Sequence, residues 1–396
     1  MQICTEKNKE VFSLKILHIS NGDDILGSAK CLQELLKYEK KINVESVLLT
    51  PSHNKLNDFC DDNGIENYSV SFNGFMYPKH DRYALFKYYL RKVQYLLNRD
   101  TSIQNIEKNI DVNSFNLIHT NTCTQDIGLK LSIKYNIPHI WHLREGGLKQ
   151  QNLVPYIHDL SKYMLDNKTY YIAVSNSVKE EWTKIKLPEN RIKVIYDGID
   201  IPRKYLFNKS VSSNLTRFVL VGSYSEIKGQ IQVIRAISLL SKEYKEKLIV
   251  DFWGVGTKKY TKMLVKEVNK HNLSSIINLR GFSDSILENL SYYNVGFNCT
   301  RIEAFGRSTV EYLVSGIPVI ASNLGANIEI INDSNGVFYE YNNVEDLKNK
   351  IMYMIDNHYT YNNYDISNQA SKLYSSDVCN KNIMQHFRSI VGENDK

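Results

Sequence analysis

Cys299-Thr300-Arg301-Ile302-Glu303-Ala304-Phe305-Gly306-Arg307-Ser308-Thr309-Val310-Glu311-Tyr312-Leu313-Val314-Ser315-Gly316-Ile317-Pro318-Val319-Ile320-Ala321-Ser322 sets the architecture expected of the whole chain. Before it, Tyr293 to Asn298 reads as a buried strand. After the helical part, Ile317 to Ala321 is an apolar run long enough for a strand and too short for a helix. Between them, Ser308 to Leu313 reads as a helix that follows Gly306, where backbone can approach a ligand. The order strand, loop, helix, strand is a βαβ unit. The start of its helix offers unpaired N–H groups and a partial positive charge to an anion.

Two carboxylates flank that anion site, Glu303 in the loop and Glu311 in the first helical turns. An acid repels phosphate but accepts well from sugar hydroxyls. The economical ligand has a phosphate centre with hydroxyl-bearing rings on both sides, which describes a nucleotide sugar. The plainer alternative makes Glu303 a solvated loop residue and Glu311 a charge that favours the helix start.

Glu303 to Glu311, followed by Ser315 to Ala321, resembles the signature of glycosyltransferase family 4. These are retaining enzymes of the GT-B fold that use nucleotide sugars. The resemblance implies an α/β chain of two Rossmann-like domains, with parallel sheets facing across a cleft. It implies that Glu303 contacts the transferred sugar and Glu311 the nucleotide ribose. It also implies that Phe305, Gly306 and the helix start at Ser308 and Thr309 hold the diphosphate.

The 396 residues suffice for two or three domains. Hydrophobic residues at 42% and charged residues at 23% are ordinary for a globular protein. A net charge of +6 suits anionic substrates or an anionic membrane surface and does not signal nucleic-acid binding. The polar start, Met1 to Glu10, shows no signal peptide, and no run approaches a transmembrane helix. Cys4, Cys31, Cys60, Cys123, Cys299 and Cys379 lack C-x-x-C spacing, which argues for reduced thiols in a cytoplasm.

In the first half, Leu14 to Ser20 reads as a strand whose His18 is a hydrogen-bonded core histidine. Gly27 and Ser28 open a helix through Leu36, where a small-residue start commonly approaches the ligand. The family often has a Gly-Gly pair there, near the sugar and diphosphate; Ser28 replaces the second glycine. Asn43 to Thr50 and Phe115 to His119 are further strands. Tyr135 to Glu145 resembles the family's strand ending in a histidine, so His142 is the expected contact to the donor sugar. Arg144 is expected to neutralise donor phosphate or acceptor charge, the alternative being a salt bridge to Glu145. Tyr170 to Ser175 is a strand followed by Asn176-Ser177, expected to cap the next helix, and Asp197-Gly198 is expected to supply a positive-φ turn ahead of Asp200. Residues 77–100 interleave Arg82, Lys87, Arg91, Lys92 and Arg99 with Tyr83, Phe86, Tyr88, Tyr89, Tyr95 and Leu96 at helical spacing. Such a helix either lies in an anionic membrane interface or packs on its own sheet with a solvated cationic side.

In the second half, Thr216 to Gly222 opens another α/β domain, and Lys228 beside Gly229 is placed for a diphosphate. The family usually has an arginine just after Gly222, where Ser223 and Tyr224 stand here. Lys228 is then the main cation and Arg307 the second. Gly281 and Phe282 resemble the segment around the nucleotide base, with Ser283 capping the next helix. Glu329 is expected to be structural. The expected domains are 1–204, binding acceptor, and 205–375, binding nucleotide sugar, with a linker at Tyr205 to Asn214 and a final helix, 376–396, returning to the first.

The resemblance implies transfer with retained anomeric configuration from a nucleoside diphosphate sugar, UDP foremost, to a glycan or lipid-linked acceptor. Glu303, His142 and Lys228 are the expected catalytic residues. No D-x-D triplet occurs, which fits charge neutralisation by Lys228, Arg307 and helix dipoles without metal. The expected setting is cytoplasmic, at the inner membrane face through residues 77–100, in bacterial surface polysaccharide synthesis. Two rival readings are a nucleotide-sugar epimerase and a non-catalytic subunit that holds acceptor for a partner.

Overall fold

The structure, a computed structural model, describes residues 14–21, 27–78, 84–148, 152–199, 215–283 and 286–392. The expected linker at 205–214, the loop 22–26, Arg82, Tyr83, Asp200 and Cys4 lie outside the described residues. In chain order the strands are β1 (Lys15–Ile19), β2 (Glu45–Thr50), β3 (Glu66–Ser69), β4 (Met76–Pro78), β5 (Leu117–Thr120), β6 (His139–Leu143), β7 (Leu153–Pro155), β8 (Thr169–Ala173) and β9 (Ile192–Val194). Then come β10 (Thr216–Val221), β11 (Leu248–Trp253), β12 (Ile277–Gly281), β13 (Val295–Asn298), β14 (Val319–Ser322) and β15 (Gly336–Tyr339). They form a seven-stranded sheet, β3-β2-β1-β5-β6-β8-β9, a six-stranded sheet, β12-β11-β10-β13-β14-β15, and an antiparallel β4-β7 ribbon. Compactness divides the chain into one unit of Met1–His142, Leu153–Ile172 and Ile383–Lys396 and another of Leu143–Asn152 and Ala173–Asn382.

The strand sequences explain the sheets. β1 (KILHI), β5 (LIHT), β13 (VGFN) and β14 (VIAS) do not alternate between polar and apolar residues; they are buried almost throughout. That is the pattern of parallel strands covered on both faces, and every resolved pairing within the six-stranded sheet is parallel. On one face of that sheet Phe218, Val250, Phe252 and Phe297 pack with Val233 and Ile237 of the Gln230–Ser238 helix and Ile351 of the Val344–Asn357 helix. Burying each such side chain stabilises by roughly 1.5–3 kcal/mol.

Strand order also locates the sites. In the six-stranded sheet the chain runs outward from β10 through β11 to β12, then returns to the other side of β10 at β13. In the seven-stranded sheet the same reversal falls between β1 and β5. Loops at the carboxyl ends of strands that flank such a reversal diverge and leave a crevice for ligand.

Several local expectations are corrected. Ser175, not Asn176-Ser177, caps the Asn176–Thr183 helix: its Oγ accepts from the Val178 N–H at 3.1 Å. Gly198 is not among the positive-φ residues. It is needed because a Cβ there would meet Ser376 Cα at 2.5 Å. The basic, aromatic segment forms a helix that runs well beyond residue 100, Ala84–Asn109. Tyr95 anchors its inner side by donating to Asp126, which also pairs with Lys130 at 2.7 Å. Its outer side carries an apolar stripe, Phe86, Tyr89, Leu90, Val93, Leu96 and Leu97, all at least 51% exposed, with Lys87, Arg91 and Arg99 exposed beside it. The described cysteines are buried free thiols, and burial pushes Cys60 and Cys299 up to about 12.

The helix Arg307–Val314 covers the other face of the six-stranded sheet and is pinned there by Tyr312. The fully buried hydroxyl of Tyr312 accepts from the Val221 N–H at 2.7 Å, and burial raises its pKa well above the ordinary phenol value. The ring fits only because residue 296 has no side chain, since a Cβ there would lie 2.3 Å from it. Gly296→Ala should displace the ring, break the Val221 bond and destabilise the protein by about 1–3 kcal/mol. Urea unfolding measures this; an unchanged midpoint would show that the helix shifts freely on the sheet.

Candidate active site

The loop after β13 is built around the carboxylate of Glu303. Oε1 accepts from the Gly306 N–H at 3.0 Å, and Oε2 accepts from Asn298 Nδ2 at 3.1 Å. Lys228 Nζ stands 3.5 Å from the same Oε2. With its side chain 10% exposed, Glu303 is not the solvated loop residue of the alternative reading. Its backbone carbonyl accepts from the Ala326 N–H at 2.9 Å, so the following loop holds it from behind. Gly306 then takes φ 88 as N-cap of the Arg307–Val314 helix, a left-handed conformation that suits glycine. No side chain caps that helix start.

Glu311 lies in the second turn, beyond the reach of the helix-start dipole, so favouring the helix start does not account for it. It pairs with Arg307, whose Nε is 3.2 Å from Oε1. Arg307 also reaches the Gly198 carbonyl at 3.4 Å. Thr309 is buried, with its hydroxyl shared between Asn298 at 2.5 Å and Asn327 at 3.3 Å. Ser308 is half-buried beside it. Phe305 sits in an aromatic cluster, 6.1 Å from the Tyr196 ring and 6.0 Å from that of Tyr374.

The loop after β10 meets this one directly. Arg301 N–H donates to the Ile227 carbonyl at 2.9 Å, and Gly229 approaches Cys299 so closely that a Cβ would meet its carbonyl oxygen at 2.3 Å. Lys228 ends the short Glu226–Lys228 turn and lays its chain over Gly222, 3.4 Å from where a Cβ would stand. Two cations, Lys228 and Arg307, therefore sit by the open helix start, each beside one acid. Both pairs are largely buried, with side chains 28% and 10% exposed for Lys228 and Glu303 and 23% and 13% exposed for Arg307 and Glu311. Further along, no atom lies within 4 Å of a Cβ built on Gly281, and Phe282 beside it is 56% exposed.

Arg144 is nine-tenths buried and pairs with Asp197, 53 residues on, while Glu145 accepts from the Arg144 backbone N–H at 3.1 Å. The Arg144 guanidinium ties the end of β6 to the Asp197-Gly198 turn. Glu329 takes four bonds, from Asn176 N–H (3.0 Å), Asn176 Nδ2 (2.9 Å), Ser177 N–H (2.8 Å) and Tyr196 Oη (3.2 Å). Burial, then Glu329, pushes the Tyr196 phenol up to about 12. Sequence reasoning missed Asn298 and Ser175, whose Oγ donates to the Ala304 carbonyl at 2.5 Å. Their signal was available: each is a polar residue at the carboxyl end of a buried strand.

In the other unit, Gly27 opens the Gly27–Lys41 helix at the surface, and the Ser28 carbonyl accepts from Asn121 Nδ2 at 3.1 Å. That joins the loops after β1 and β5. His142, near the end of β6, is fully buried, with Nδ1 3.2 Å from His119 Nε2.

Residues 27–203 match the family described as Glycosyltransferase Family 4, and residues 203–372 match the family Glycosyl transferases group 1. An uncharacterized glycosyltransferase of Methanocaldococcus jannaschii is 30% identical over 275 residues, 67% of this chain and 72% of that one. The capsular polysaccharide biosynthesis glycosyltransferase CapH of Staphylococcus aureus is 22% identical, over 57% of this chain and 62% of CapH. Among solved structures, Anabaena HepE in complex with UDP aligns with TM-score 0.75 at 17% identity, over 95% of this chain and all of that one. A Rickettsia africae glycosyltransferase aligns with TM-score 0.76 at 18% identity, over 97% and 100%. At such identities the structures speak for the fold alone, two Rossmann-like domains of the GT-B type. Taken with the matches along both halves of the sequence, they make this chain a member of the family 4 glycosyltransferases.

Proposed function

We propose that this glycosyltransferase takes its sugar from a nucleoside diphosphate sugar, UDP being the expected nucleotide, and transfers it with retained configuration and without a metal ion. The observation that carries the reading is the pairing at the strand reversal: Lys228 against Glu303 and Arg307 against Glu311, beside an uncapped helix start. The diphosphate takes the helix N–H groups and the two cations, with Gly222 and Gly306 giving the backbone approach. The freed carboxylates then accept from hydroxyls, Glu303 from the transferred sugar and Glu311 from the ribose. The base lies by Gly281 and Phe282. HepE, a structural neighbour, has been solved with UDP-glucose, and CapH acts in capsular polysaccharide biosynthesis, which supports a donor and an acceptor of these classes.

In the reaction, the bond from the anomeric carbon to the diphosphate oxygen breaks while an acceptor hydroxyl attacks from the same face. Negative charge grows on the leaving oxygen, where preorganised cations and N–H dipoles act most strongly. Residues 205–375 bind donor and 1–204, with 376–396, bind acceptor; Gly27, Ser28, His142 and Arg144 belong to the sugar side. A donor-only incubation that yields an isomerised sugar would favour the epimerase reading instead.

The two acids and two bases separate binding from chemistry. Lys228→Ala should weaken UDP binding, measured by calorimetry, by roughly 10- to 150-fold, the range for a hydrogen bond to a charged group. Glu303→Gln should leave UDP affinity within about twofold and lower kcat by a similar 10- to 150-fold. Unchanged UDP affinity in Lys228→Ala would overturn the donor site.

A membrane-bound acceptor fits the Ala84–Asn109 helix. At 3.6 residues per turn, Phe86, Tyr89, Leu90, Val93, Leu96 and Leu97 form one outward stripe. Lys87 and Arg91 border it on one side, and Lys92 and Arg99 on the other. Soluble proteins rarely leave such a patch bare, and an in-plane helix at an anionic bilayer has this arrangement. No described helix is long and apolar enough to cross a membrane. The protein should therefore float with phosphatidylglycerol vesicles at low salt, and Leu90→Glu with Leu97→Glu should abolish flotation. Wild-type protein left in the pellet fraction would refute the surface.

A further inference from the structure

The six-stranded sheet carries a second set of polar groups, apart from those around Glu303. Along β10, β11 and β12 successive side chains point to opposite faces. Phe218, Leu220, Val250, Phe252 and Ile277 belong to the apolar core on one face. Arg217, Asp251, Trp253 and Arg280 therefore share the other, and with residues of the return connection to β13 they line an open hollow of about 430 Å³. The Arg307–Val314 helix reaches this face at β10 and β13, where Tyr312 bonds Val221 and lies over Gly296. Beside β11 and β12 the wall is instead the short Ile286–Asn289 helix and the Leu290–Tyr292 turn, with Asn289, Tyr292 and Tyr293 lining the hollow. Arg217, the second residue of β10, stands roughly 16 Å along the strand from Gly222, so the hollow runs back from the donor loops.

Its groups are held in place. Asp251 is buried and accepts from Asn278 Nδ2 at 2.8 Å, Tyr293 Oη at 2.8 Å and Arg280 Nε at 3.0 Å. Trp253 Nε1 donates to the same Tyr293 oxygen at 2.8 Å, which fixes indole and phenol together. The lining residues bring two guanidiniums against one carboxylate. Arg280 answers Asp251, whereas the Arg217 Nε is buried with no hydrogen-bond partner in the protein. A buried donor left unmet is costly, and an anion meets both that donor and the surplus positive charge. A bare anion would leave the three aromatic side chains unmatched, and a purely apolar ring would leave Arg217 unmet. We propose that this hollow is a second saccharide site, which takes one sugar ring carrying a phosphate or a carboxylate. The anionic group lies between Arg217 and Arg280, the C–H face of the ring lies on Trp253, and ring hydroxyls meet Asn289 and Tyr292. Free sugar phosphates or sugar acids and the acidic units of a glycan both present this chemistry.

Trp253 reports on the hollow by fluorescence, because the other two tryptophans, Trp141 and Trp182, are fully buried. Full-length protein is held in saturating UDP, and glucose 6-phosphate and galacturonate are each titrated. Saturable quenching at millimolar concentrations or below is expected, with glucose and inorganic phosphate each about tenfold weaker or worse. Phosphate as effective as glucose 6-phosphate would reduce the hollow to a simple anion site and overturn the proposal. A response that UDP abolishes would do the same, since the sugar would then share a nucleotide site. Trigalacturonate tighter than galacturonate assigns the glycan as the source, and equal affinity assigns the free sugar acid. Arg217→Gln should weaken binding by about tenfold or more, and Trp253→Phe should remove the signal, both with UDP affinity unchanged. A signal that survives either substitution places the ligand elsewhere. Should Arg217→Gln misfold, the comparison of sugar phosphate with phosphate in the wild-type protein still decides.

Discussion

A carboxylate drawn out of water must be met by donors, and Glu303 is met from three directions at once. Gly306 supplies the helix start, Asn298 the end of β13, and Lys228 the loop after β10. One side chain thereby fixes the relation between two strand ends that the topology alone would leave diverging. Remove that demand and the loop loses its reason to turn at residue 306 and present a bare helix start. The carboxylate of Glu303 thus ties the loop after β13 to the loop after β10.

Both sheets repeat this solution with different chemistry. At the β10/β13 reversal, charge fills the crevice: two acids, two bases and a dipole. At the β1/β5 reversal the loops are joined by amide and carbonyl, Asn121 to Ser28, and the buried groups behind them are histidines rather than lysines. Neutral, directional groups suit recognition of hydroxyls, and full charges suit phosphates.

Much of this was legible before any coordinates. Strands without alternation, such as β1, β5, β13 and β14, announced covered parallel sheets, and Gly306 before a helical run announced the start of the Arg307–Val314 helix. What was hidden depended on sequence-distant partners. Arg144 was expected to meet donor phosphate or acceptor charge, with the adjacent Glu145 as the alternative, and it pairs with Asp197, 53 residues away. His18 was read as a bonded core histidine, but the partner 101 residues distant follows only from strand register. β3, reading Glu-Asn-Tyr-Ser, has no apolar signal because it sits at the sheet edge, where one side needs no covering. Gly198 was assigned a turn conformation when its true constraint is the nearness of Ser376.

The hydroxyl of Ser175 holds two bonds, accepting from the Val178 N–H that begins one helix and donating to the Ala304 carbonyl in the loop that begins another. A single oxygen with a single hydrogen cannot follow two partners that separate. If the arriving ligand pulls residues 303–306 by even an ångström, the Asn176–Thr183 helix must travel with them or surrender its cap. Loop and helix are in this sense one mechanical part, hinged at an oxygen atom.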